Sequence, residues 1–589
     1  MNTTRILIQN VEPLVDCGRY PVKRVVGDRV DVYATVFKDG HDTLGGAVRV
    51  TAPDGTVTEL PLTPLGNDRW HGSFAVESPG RWTFAVAAWT DRIATWQDEM
   101  RRKAGQEDLS GELAEGAVLL GKKSLTLEEG LAATAGDRHA ETSSPPLLVD
   151  VDRTLAKFGA WYELFPRSWG GFKGVEKTLP KLAALGFDVV YLPPVHPIGV
   201  TNRKGKNNSE TAVRGDVGSP WAIGSREGGH DALNPELGTW KEFESMVAAA
   251  RKAGIEIALD FAIQCSPDHP WLKAHPEWFN RRPDGTLKYA ENPPKHYQDI
   301  YNVNFDSDDW RGLWNALHDA LMVWVDHGIR VFRVDNPHTK PVAFWEWLIA
   351  DVRRDHPETI FLAEAFTRPS MMTTLAKSGF SQSYTYFTWK NTKAELQEWL
   401  GELIAWSPFY RPNAFVNTPD ILHEYLQHGG PPAFEARLVL AATLSPSYGI
   451  YSGFESFENV PVREGSEEYL DSEKYEVKKR KLDGPLLPLV QRLNEIRRAE
   501  PALRQLENTY WLETENEQIV AYVKEDVIVV VNIDPFAEQE GVCTVPVALG
   551  RPPVFAATEL LSGVEFTWRA GRNYVKLGAG KSHILKVKK

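Results

Sequence analysis

The sequence predicts an α/β protein centred on a (β/α)8 TIM barrel, with an N-terminal β-sandwich, a short helical segment and a C-terminal all-β domain. Between about residues 150 and 500, short apolar runs typical of strands buried on both faces alternate with helical stretches. Outside that region, apolar and polar residues alternate with the period of two that half-buried strands show. The 589 residues leave room for about four units of roughly 150 residues each.

The pattern of the N-terminal region is typical of strands joined by tight turns. Apolar side chains occupy alternate positions over residues 30–36 and 82–86, and Pro53-Asp54-Gly55 between them is a turn sequence. Several short strands of this kind indicate a β-sandwich, which we place at residues 1–95. Residues 96–147 are richer in charge and alanine, and we predict a helical segment that ends in a Ser-Ser-Pro-Pro linker.

The barrel is predicted over residues 148–500, with inserted loops, and a C-terminal β-domain over residues 501–589. A barrel of this type carries its active residues at the C-terminal ends of its strands. The clearest strands of the barrel are 189–192, 257–259 and 329–332, and its clearest helices are Trp240–Lys252, Trp310–Asp326 and Phe344–Arg354. The clearest strands of the last domain are 519–523 and 527–533.

Composition and charge exclude several classes of function. The net charge of −13 argues against nucleic acid and anionic membranes as partners, since both attract basic surfaces. No apolar run of about 20 residues is present to span a bilayer, and the first residues lack a signal peptide, so we expect a cytoplasmic protein. The three cysteines, Cys17, Cys265 and Cys543, are too few and too scattered for a disulfide framework or a zinc site.

Aromatic residues make up 11% of the chain and include 20 tryptophans. Flat rings suit the apolar faces of sugars, and Trp and Tyr also offer a polar atom to a hydroxyl. Large barrels and sandwiches use Trp to fill their cores as well, so composition alone leaves carbohydrate binding open.

Three acids stand where a barrel would carry its chemistry. Asp335 ends the run GIRVFRVD, Glu364 ends TIFLAE and Asp420 closes NAFVNTPD, at spacings of about one and two strand–helix units. Arg333 precedes Asp335 by two positions, so in a strand both side chains point the same way and the guanidinium would keep the carboxylate ionised. Paired carboxylates catalyse glycosyl transfer, in which one attacks the anomeric carbon and the other acts as acid and base. A single acid would more simply be a salt-bridge partner, but three at matching positions favour a catalytic site.

Longer strings resemble those of a known family. RVD at 333–335, FLAEAF at 361–366 and FVNTPD at 415–420 are similar to regions of the α-amylase superfamily, glycoside hydrolase family 13. The maltose-1-phosphate-dependent α-1,4-glucan maltosyltransferases of the GlgE type are resembled more closely, through FGAWYELFPRS, PVHPIG, RKGKNN, DFAIQCSPDHPW, ENPPKHYQDIYNVNFD, FRVDNPHTKPVAFWEW, SQSYTYFTWKN and GSEEYLDSEKY. The resemblance covers nearly the whole chain. It implies retaining transfer of maltosyl units from α-maltose 1-phosphate to the non-reducing end of α-1,4-glucans, with release of phosphate and without a cofactor.

The resemblance also implies a role for each site residue. Asp335 would be the nucleophile that carries a β-maltosyl intermediate, Glu364 the general acid/base, and Asp420 the residue that binds sugar hydroxyls and favours the distorted transition state. The positions that match donor-binding residues of the family, together with Arg333 beside the nucleophile, are Lys204, Gln264, Asp299, Arg333, Asn336, Lys474 and Tyr475. Those that match the part receiving the donor phosphate are Asn292, Lys295 and Tyr297. An ammonium, a hydroxyl and the Asn336 amide near the barrel mouth also suit a phosphate on physical grounds.

Several positions depart from the wider superfamily. Gln264-Cys265 replace the Asn-His that amylases carry after the third strand, and the Asn usually serves a calcium site. Pro419 stands where amylases have a His before the last acid, and Thr339 where they have a His four residues after the nucleophile. These changes argue against a generic amylase.

We predict no metal site, because the remaining histidines are isolated and lack metal-ligand spacing. They are His230, His269 and His338. The resemblance implies a homodimer, but the helical segment near 96–140 that helps to build it is shorter here, which leaves the oligomeric state open.

Two other functions fit parts of the sequence. A hydrolase or 4-α-glucanotransferase of the amylase superfamily would use glucan as its donor and would not need Lys295 and Asn336 in a phosphate pocket. A catalytically silent glycan-binding protein would not need all three acids together with Arg333. The maltosyltransferase is therefore the hypothesis that the sequence favours.

Overall fold

A computed structural model describes residues 5–105, 108–134, 136–292 and 295–588, except for the side chains of Asn292 and Lys295. The chain divides into two compact units, Met1–Arg153 and Thr154–Lys589. The first is formed largely of β-sheets, and the second contains the barrel and the C-terminal sheets.

The first unit contains two sheets. The strands of the four-stranded sheet are, in spatial order, Ile6–Glu12, Arg29–Lys38, Arg69–Ala75 and Thr63–Gly66. Those of the six-stranded sheet are Val22–Val25, Leu147–Asp152, Gly80–Thr90, Leu44–Thr51 and Val57–Pro61, with His139–Ser143 paired to Gly80–Thr90. Alternate residues of Arg29–Lys38 are buried, which is the pattern expected of a strand with one face on a core.

Helices Arg92–Lys103, Ser110–Leu119 and Leu127–Leu131 follow the strand Gly80–Thr90. They pack around Trp96, whose indole N–H donates a 2.7 Å hydrogen bond to the carbonyl of Glu112. A Cβ at Gly116 or Gly130 would lie 2.4 or 2.3 Å from the Trp96 ring. The close packing of these short helices therefore requires glycine at both positions.

The second unit is built on a closed barrel of eight parallel strands, each paired with the next and the last with the first. The strands are β1 Gly159–Glu163, β2 Val189–Leu192, β3 Glu256–Phe261, β4 Val331–Val334, β5 Ile360–Ala363, β6 Gln382–Tyr384, β7 Pro412–Phe415 and β8 Ser447–Tyr451. All of them are short and almost entirely buried, which explains the continuous apolar runs of β2 and β5.

The helices of this unit alternate with the strands. They are Gly171–Ala184, Trp240–Lys252, Pro270–Ala274, Trp310–Asp326, Val342–Asp355, Pro369–Lys377, Lys393–Trp406, Glu424–Leu444 and Leu487–Ala499. Trp240–Lys252 begins at a capping box, in which Thr239 and Glu242 satisfy each other's backbone N–H groups. Asp309 caps Trp310–Asp326 by accepting from the N–H of Gly312. These caps explain why both helices begin where the sequence predicts.

Two sets of strands accompany the barrel. A small sheet after β3 contains, in spatial order, Gln264–Cys265, Lys295–Asn302 and Tyr289–Asn292. The C-terminal strands form a six-stranded sheet of Thr509–Trp511, Ile519–Lys524, Val527–Asn532, Ser582–Val587, Val554–Glu559 and Glu565–Arg569 and a three-stranded sheet of Glu513–Thr514, Gln539–Val545 and Gly571–Leu577.

The closed parallel barrel and the flanking β-sheets confirm the predicted fold class. The limits placed at residues 95, 147 and 500 stay predictions. In the part of the chain that the structure describes, no helix combines the length and the apolar character needed to cross a bilayer.

Candidate active site

The mouth of the barrel is lined by polar side chains that stand one layer above an apolar core. Tyr191 on β2, Asp260 on β3 and Arg333 on β4 point inward, and the residue two positions earlier on each strand belongs to the core inside the barrel. Asp260 and Arg333 are buried. The inward alternation of the strands thus collects charged groups at the C-terminal end, where barrel enzymes carry their chemistry.

Arg333 is fixed between two carboxyl groups. Its Nη1 donates to Oδ2 of Asp260 and to Oδ1 of Asp335, both at 2.8 Å. The hydroxyl of Tyr191 donates to the same Asp260 oxygen at 2.5 Å. Burial raises the pKa of Asp260 to about 7, although the Arg333 charge lowers it. Burial lowers the pKa of Arg333, but its anionic neighbours outweigh this and raise it above the ordinary value. The guanidinium is therefore a fixed cation beneath Asp335.

Asp335, which follows β4, is oriented through both of its oxygens. Besides the bond from Arg333 to Oδ1, the side-chain amides of Gln264 and Asn336 donate to Oδ2, the second at 3.3 Å. Three donors from two segments of the chain leave the carboxylate little freedom to rotate. A carboxylate held in this way is prepared to attack a carbon placed above it.

Glu364, which follows β5, lies beside Asp335 in a different environment. Its Oε2 accepts a 3.0 Å hydrogen bond from the backbone N–H of Asn336 and lies 3.6 Å from Nη2 of Arg333. Burial raises the pKa of Glu364 to about 8, and the negative charge of Asp335 contributes in the same direction. Glu364 is therefore protonated at neutral pH and suited to act as a general acid.

Asp420 lies after β7 and pairs with Lys474. The Lys474 ammonium donates to Oδ1 of Asp420, whose side chain is 45% exposed. Lys474 also lies 5.7 Å from the ring centroids of both Trp221 and Tyr475. Burial lowers the pKa of Lys474, but the charge of Asp420 more than compensates and raises it. The structure thus brings three of the predicted site residues together on one side of the mouth.

Lys204 contacts the strand Lys295–Asn302 of the small sheet, and Asp299 is part of that strand. The Lys204 ammonium donates to the carbonyl of His296 at 3.4 Å and to the side chain of Gln298. Asp299 is buried, and its Oδ1 has no hydrogen-bond partner among the described residues. Burial raises its pKa to about 6. An unsatisfied buried acceptor is costly unless a ligand completes it, so Asp299 is an acceptor available to a sugar hydroxyl.

The residues predicted to receive a phosphate lie on the same strand pair. The side chains of Asn292 and Lys295 fall outside the described part of the structure, so their phosphate contacts stay predictions. Tyr297 is half-buried and packs against the hydrophobic core. Its strand pairs with Gln264–Cys265, and Gln264 contacts Asp335. The predicted phosphate segment is therefore linked to Asp335 through its pairing with the strand that carries Gln264.

Three further residues at the mouth are not among the predicted site residues, although two of them, Asp260 and Glu163, lie within strings that resemble the family. Asp260 and Tyr191 hold Arg333, and Glu163 ends β1 with a buried Oε2 that has no hydrogen-bond partner in the described ranges. For Asp260 and Glu163 the signal is the one that reveals Asp335, namely a polar residue at the end of an apolar run. Asp260 ends IALD and Glu163 ends AWYE.

The prediction that the histidines are isolated is wrong for His230 and His269. Nδ1 of His230 lies 3.0 Å from Nε2 of His269. Together with Cys265 they place three ligand atoms within 4.8 Å of one another, close enough to hold a metal ion. The sequence does not reveal this contact, because the two histidines are 39 positions apart and are brought together by β3 and the loop that follows it.

The hydrogen bonds of His230 and His269 indicate that both imidazole rings are neutral. The N–H of Trp271 donates to Nδ1 of His269 at 3.1 Å, so Nε2 of His269 carries the proton and donates to His230. His230 then donates from Nε2 to the carbonyl of Ala262 at 2.9 Å. Burial lowers the pKa of His230 to about 4 and also lowers that of His269. Every ring nitrogen is engaged, so these residues fit a hydrogen-bond relay better than a metal site.

Two family models match the ends of the chain. Residues 4–157 match the model described as alpha-1,4-glucan:maltose-1-phosphate maltosyltransferase, domain N/S. Residues 511–587 match the model described as GLGE, C-terminal.

Full-length relatives carry the same description. The chain is 48% identical to alpha-1,4-glucan:maltose-1-phosphate maltosyltransferase 2 of Streptomyces coelicolor, with 99% of this chain and 96% of the relative covered. It is 46% identical to the alpha-1,4-glucan:maltose-1-phosphate maltosyltransferase of Mycolicibacterium smegmatis, with 99% and 97% covered. Among solved structures, an α-amylase from Lactobacillus plantarum matches with a TM-score of 0.58 and 21% identity, over 74% of this chain and 100% of that chain. This last likeness shows the fold alone.

Proposed function

Since this chain belongs to the α-1,4-glucan:maltose-1-phosphate maltosyltransferase family, we propose that it works by a retaining double displacement at Asp335. It is a glycosyltransferase that moves maltosyl units from maltose 1-phosphate to α-1,4-glucan. The donor is the α-anomer, and the growing end is the non-reducing one.

In the first step, Asp335 attacks C1 of the maltosyl group. The bond between C1 and the phosphate oxygen breaks, and the phosphate leaves with the bonding electrons while Glu364 donates a proton to it. The product is a β-maltosyl ester of Asp335. The contacts of Asp335 with Arg333, Gln264 and Asn336 support this role, because they aim the carboxylate before the donor binds.

In the second step, Glu364 takes a proton from the 4-hydroxyl of the acceptor glucan, whose oxygen attacks C1 and displaces Asp335. Two inversions restore the α-configuration. The electrostatics support the change of role, because the negative charge of Asp335 is one cause of the raised Glu364 pKa. Esterification removes that charge, so the Glu364 pKa falls and the group becomes a base.

The remaining residues bind the donor. Asp420 with Lys474 and Tyr475, and Asp299 with Lys204, offer charged and hydroxyl groups to sugar hydroxyls, and the Lys474 charge acts on both Asp420 and Asp299. Lys295, Tyr297, Asn292 and Asn336 receive the phosphate. The support for the phosphate contacts is the family match and the pairing of this strand with Gln264–Cys265.

The observation that carries the mechanism is the pair formed by Asp335 and Glu364. Both carboxyl groups contact Arg333 and Asn336, yet one is oriented by three donors and the other has a pKa near 8. A nucleophile next to a protonated acid is the equipment of a retaining glycosyl transfer.

The test is an assay with α-maltose 1-phosphate and maltohexaose. We expect release of inorganic phosphate and acceptors lengthened by two hexose units, with the α-anomeric signal of the new linkage seen by ¹H NMR. Asp335→Asn, which keeps the size of the side chain, is the matched control and should be inactive. Lengthening from maltohexaose alone would indicate a 4-α-glucanotransferase, shortening a hydrolase, and binding without any conversion a silent glycan-binding protein.

We also propose a cytoplasmic homodimer. The family resemblance supports the dimer, and the net charge of −13, which argues against anionic membranes as partners, supports the location. Sedimentation of the full chain at micromolar concentration tests the first, and a monomer there would contradict it.

A further inference from the structure

Asn336 connects the two carboxyl groups of the site. Its backbone N–H donates to Oε2 of Glu364 at 3.0 Å, and its Nδ2 donates to Oδ2 of Asp335 at 3.3 Å. It does so in the left-handed conformation, with φ 42° and ψ 54°. That conformation is unfavourable for residues other than glycine and is tolerated best by Asn and Asp, so neighbouring contacts must hold it.

Those contacts converge on the carbonyl of Asn336. It accepts hydrogen bonds from the backbone N–H of Thr339 at 3.1 Å, from Oγ1 of Thr339 at 2.8 Å and from Nζ of Lys340 at 3.3 Å. A carbonyl with three donors has a fixed direction, and this fixes the ψ angle of Asn336. The N–H and the amide of the same residue are then directed at Glu364 and Asp335.

The turn that carries these donors is anchored to the barrel. The indole N–H of Trp345, which is completely buried in helix Val342–Asp355, donates to the carbonyl of Pro337 at 2.9 Å. Pro337 and Pro341 limit the backbone on both sides of Thr339 and Lys340. Residues 336–341 therefore form a rigid turn.

Lys340 has a second feature that points to the site. Its side chain is buried, which lowers its pKa, while the charges of Asp335 and Glu364 raise it in turn. Burying an ammonium group costs free energy unless nearby groups of opposite charge compensate it. Here it places a positive charge near both carboxyl groups without pairing directly with either.

We propose that Thr339 and Lys340 are positioning residues, which hold Asn336 in its left-handed conformation and thereby set the geometry of Asp335 and Glu364. The inference deepens the proposed function and rests on it, since that function gives the two carboxyl groups their roles. It also accounts for Thr339, which stands where amylases carry a histidine, as part of the turn that holds Asn336.

The first test uses Thr339, whose side chain is exposed and whose replacement leaves the core intact. Thr339→Val removes the hydroxyl and keeps the shape, and Thr339→Ser keeps the hydroxyl. With maltose 1-phosphate and maltohexaose, we expect kcat to fall about three- to tenfold in Thr339→Val, as for one lost hydrogen bond, and to stay near that of the unmodified enzyme in Thr339→Ser. The KM for maltohexaose and the Tm should not change in either.

The second test uses Lys340→Met and the pH profile of kcat/KM for the donor. Loss of the Lys340 ammonium, and a weaker hydrogen bond from the Asn336 N–H, both favour the neutral form of Glu364 and so raise its pKa. The alkaline limb of the profile should therefore move to higher pH. The other charged or titratable groups that face Glu364 are Arg333, Asp335, Asp420 and Tyr384, and they are unchanged in this variant. His338, on the same turn, has a pKa that partial burial and the Lys340 charge lower, so it titrates on the acid side and not on the alkaline limb.

The outcomes separate the two hypotheses. Unmodified enzyme that is inactive with maltose 1-phosphate overturns the proposed function. Active enzyme with unchanged kcat in Thr339→Val, or with equal losses in Thr339→Val and Thr339→Ser, overturns the positioning role of Thr339. A Lys340→Met variant that loses activity without any shift of the alkaline limb shows a merely structural lysine and overturns the positioning role of Lys340.

Discussion

Arg333 and Asp335, two positions apart at the end of β4, are joined by a 2.8 Å hydrogen bond between Nη1 and Oδ1. The same guanidinium nitrogen lies 2.8 Å from Asp260 on β3, which in turn accepts from Tyr191 on β2. The position of the proposed nucleophile is thus set by three neighbouring strands of the barrel. A carboxylate supported in this way is held in place before a donor binds.

The proposed intermediate can be trapped. In Glu364→Ala, a 2-deoxy-2-fluoro maltosyl donor with a good leaving group should still react with Asp335, because such a group needs little help from an acid. The ester should then persist, because the base of the second step is missing. Mass spectrometry of peptides from the treated enzyme should find the maltosyl group on Asp335. An adduct on any other residue would contradict the assignment.

Tyr191 should matter although no motif marks it. Tyr191→Phe removes the hydroxyl that donates to the buried Asp260, a hydrogen bond to a charged group worth about 1.5–3 kcal/mol. We expect kcat to fall about tenfold, because Arg333 loses one of the contacts that fix its partner. Tyr448→Phe is the matched control, since its buried hydroxyl donates to Asn494 away from the mouth. It should lower the free energy of unfolding without lowering kcat, and equal kcat losses in both variants would refute a special role for Tyr191.

The fold was predictable because its signals are local. Buried parallel strands give apolar runs, and caps such as Thr239 with Glu242 mark where helices begin. The acids at strand ends were also visible, because a barrel directs the C-terminal ends of its strands to one mouth. Family resemblance, and not periodicity, supplied Lys204, Asp299 and Lys474, which lie in loops or in the small sheet after β3, whose paths a repeat pattern does not determine.

The parts that sequence reasoning missed depend on contacts across the fold. His230 and His269 are far apart in the chain and meet only because a loop after β3 returns to the preceding segment. Asp260 ends an apolar run, but its role becomes clear only from its neighbour on β4, Arg333. Thr339 and Lys340 both donate to the backbone carbonyl of Asn336. A pattern of side chains in the sequence does not show which backbone carbonyls accept hydrogen bonds, so this role could not be predicted.

The pH dependence should report Glu364. Its pKa is raised to about 8, so the acid form needed to protonate the leaving phosphate predominates below that pH and is lost above it. We expect kcat/KM for the donor to fall as the pH rises through about 8. Glu364→Gln should show low activity without this alkaline limb. A limb that persists unchanged in Glu364→Gln belongs to another group.

Removal of metal should have no effect. His230 and His269 are neutral and donate or accept through every ring nitrogen, so a metal ion would have to break the relay to Ala262. Enzyme dialysed against EDTA should keep its kcat and its Tm. Elemental analysis by plasma mass spectrometry should find less than one zinc per chain before dialysis. One zinc per chain, lost together with stability, would assign a metal to His230, Cys265 and His269.

Lys295 tests the identity of the donor. The family resemblance places its ammonium on the phosphate of maltose 1-phosphate, and a charge-assisted contact of this kind is worth about 1.5–3 kcal/mol, or roughly 10–150-fold in an equilibrium constant. Lys295→Ala should lose about that factor in kcat/KM with maltose 1-phosphate. With α-maltosyl fluoride the loss should be far smaller, because fluoride is too small to reach the same contacts.

The comparison of the two donors in one variant removes the effect of folding. A lysine that only braces its strand would reduce the reaction with both donors equally, because the carboxyl pair and the sugar contacts serve both. A lysine that binds phosphate would reduce one reaction selectively. Lys288→Ala, on an exposed residue shortly before the same strand pair, is the control and should leave both reactions unchanged. Equal losses in Lys295→Ala would leave the phosphate contact without support and would favour a donor that carries no phosphate.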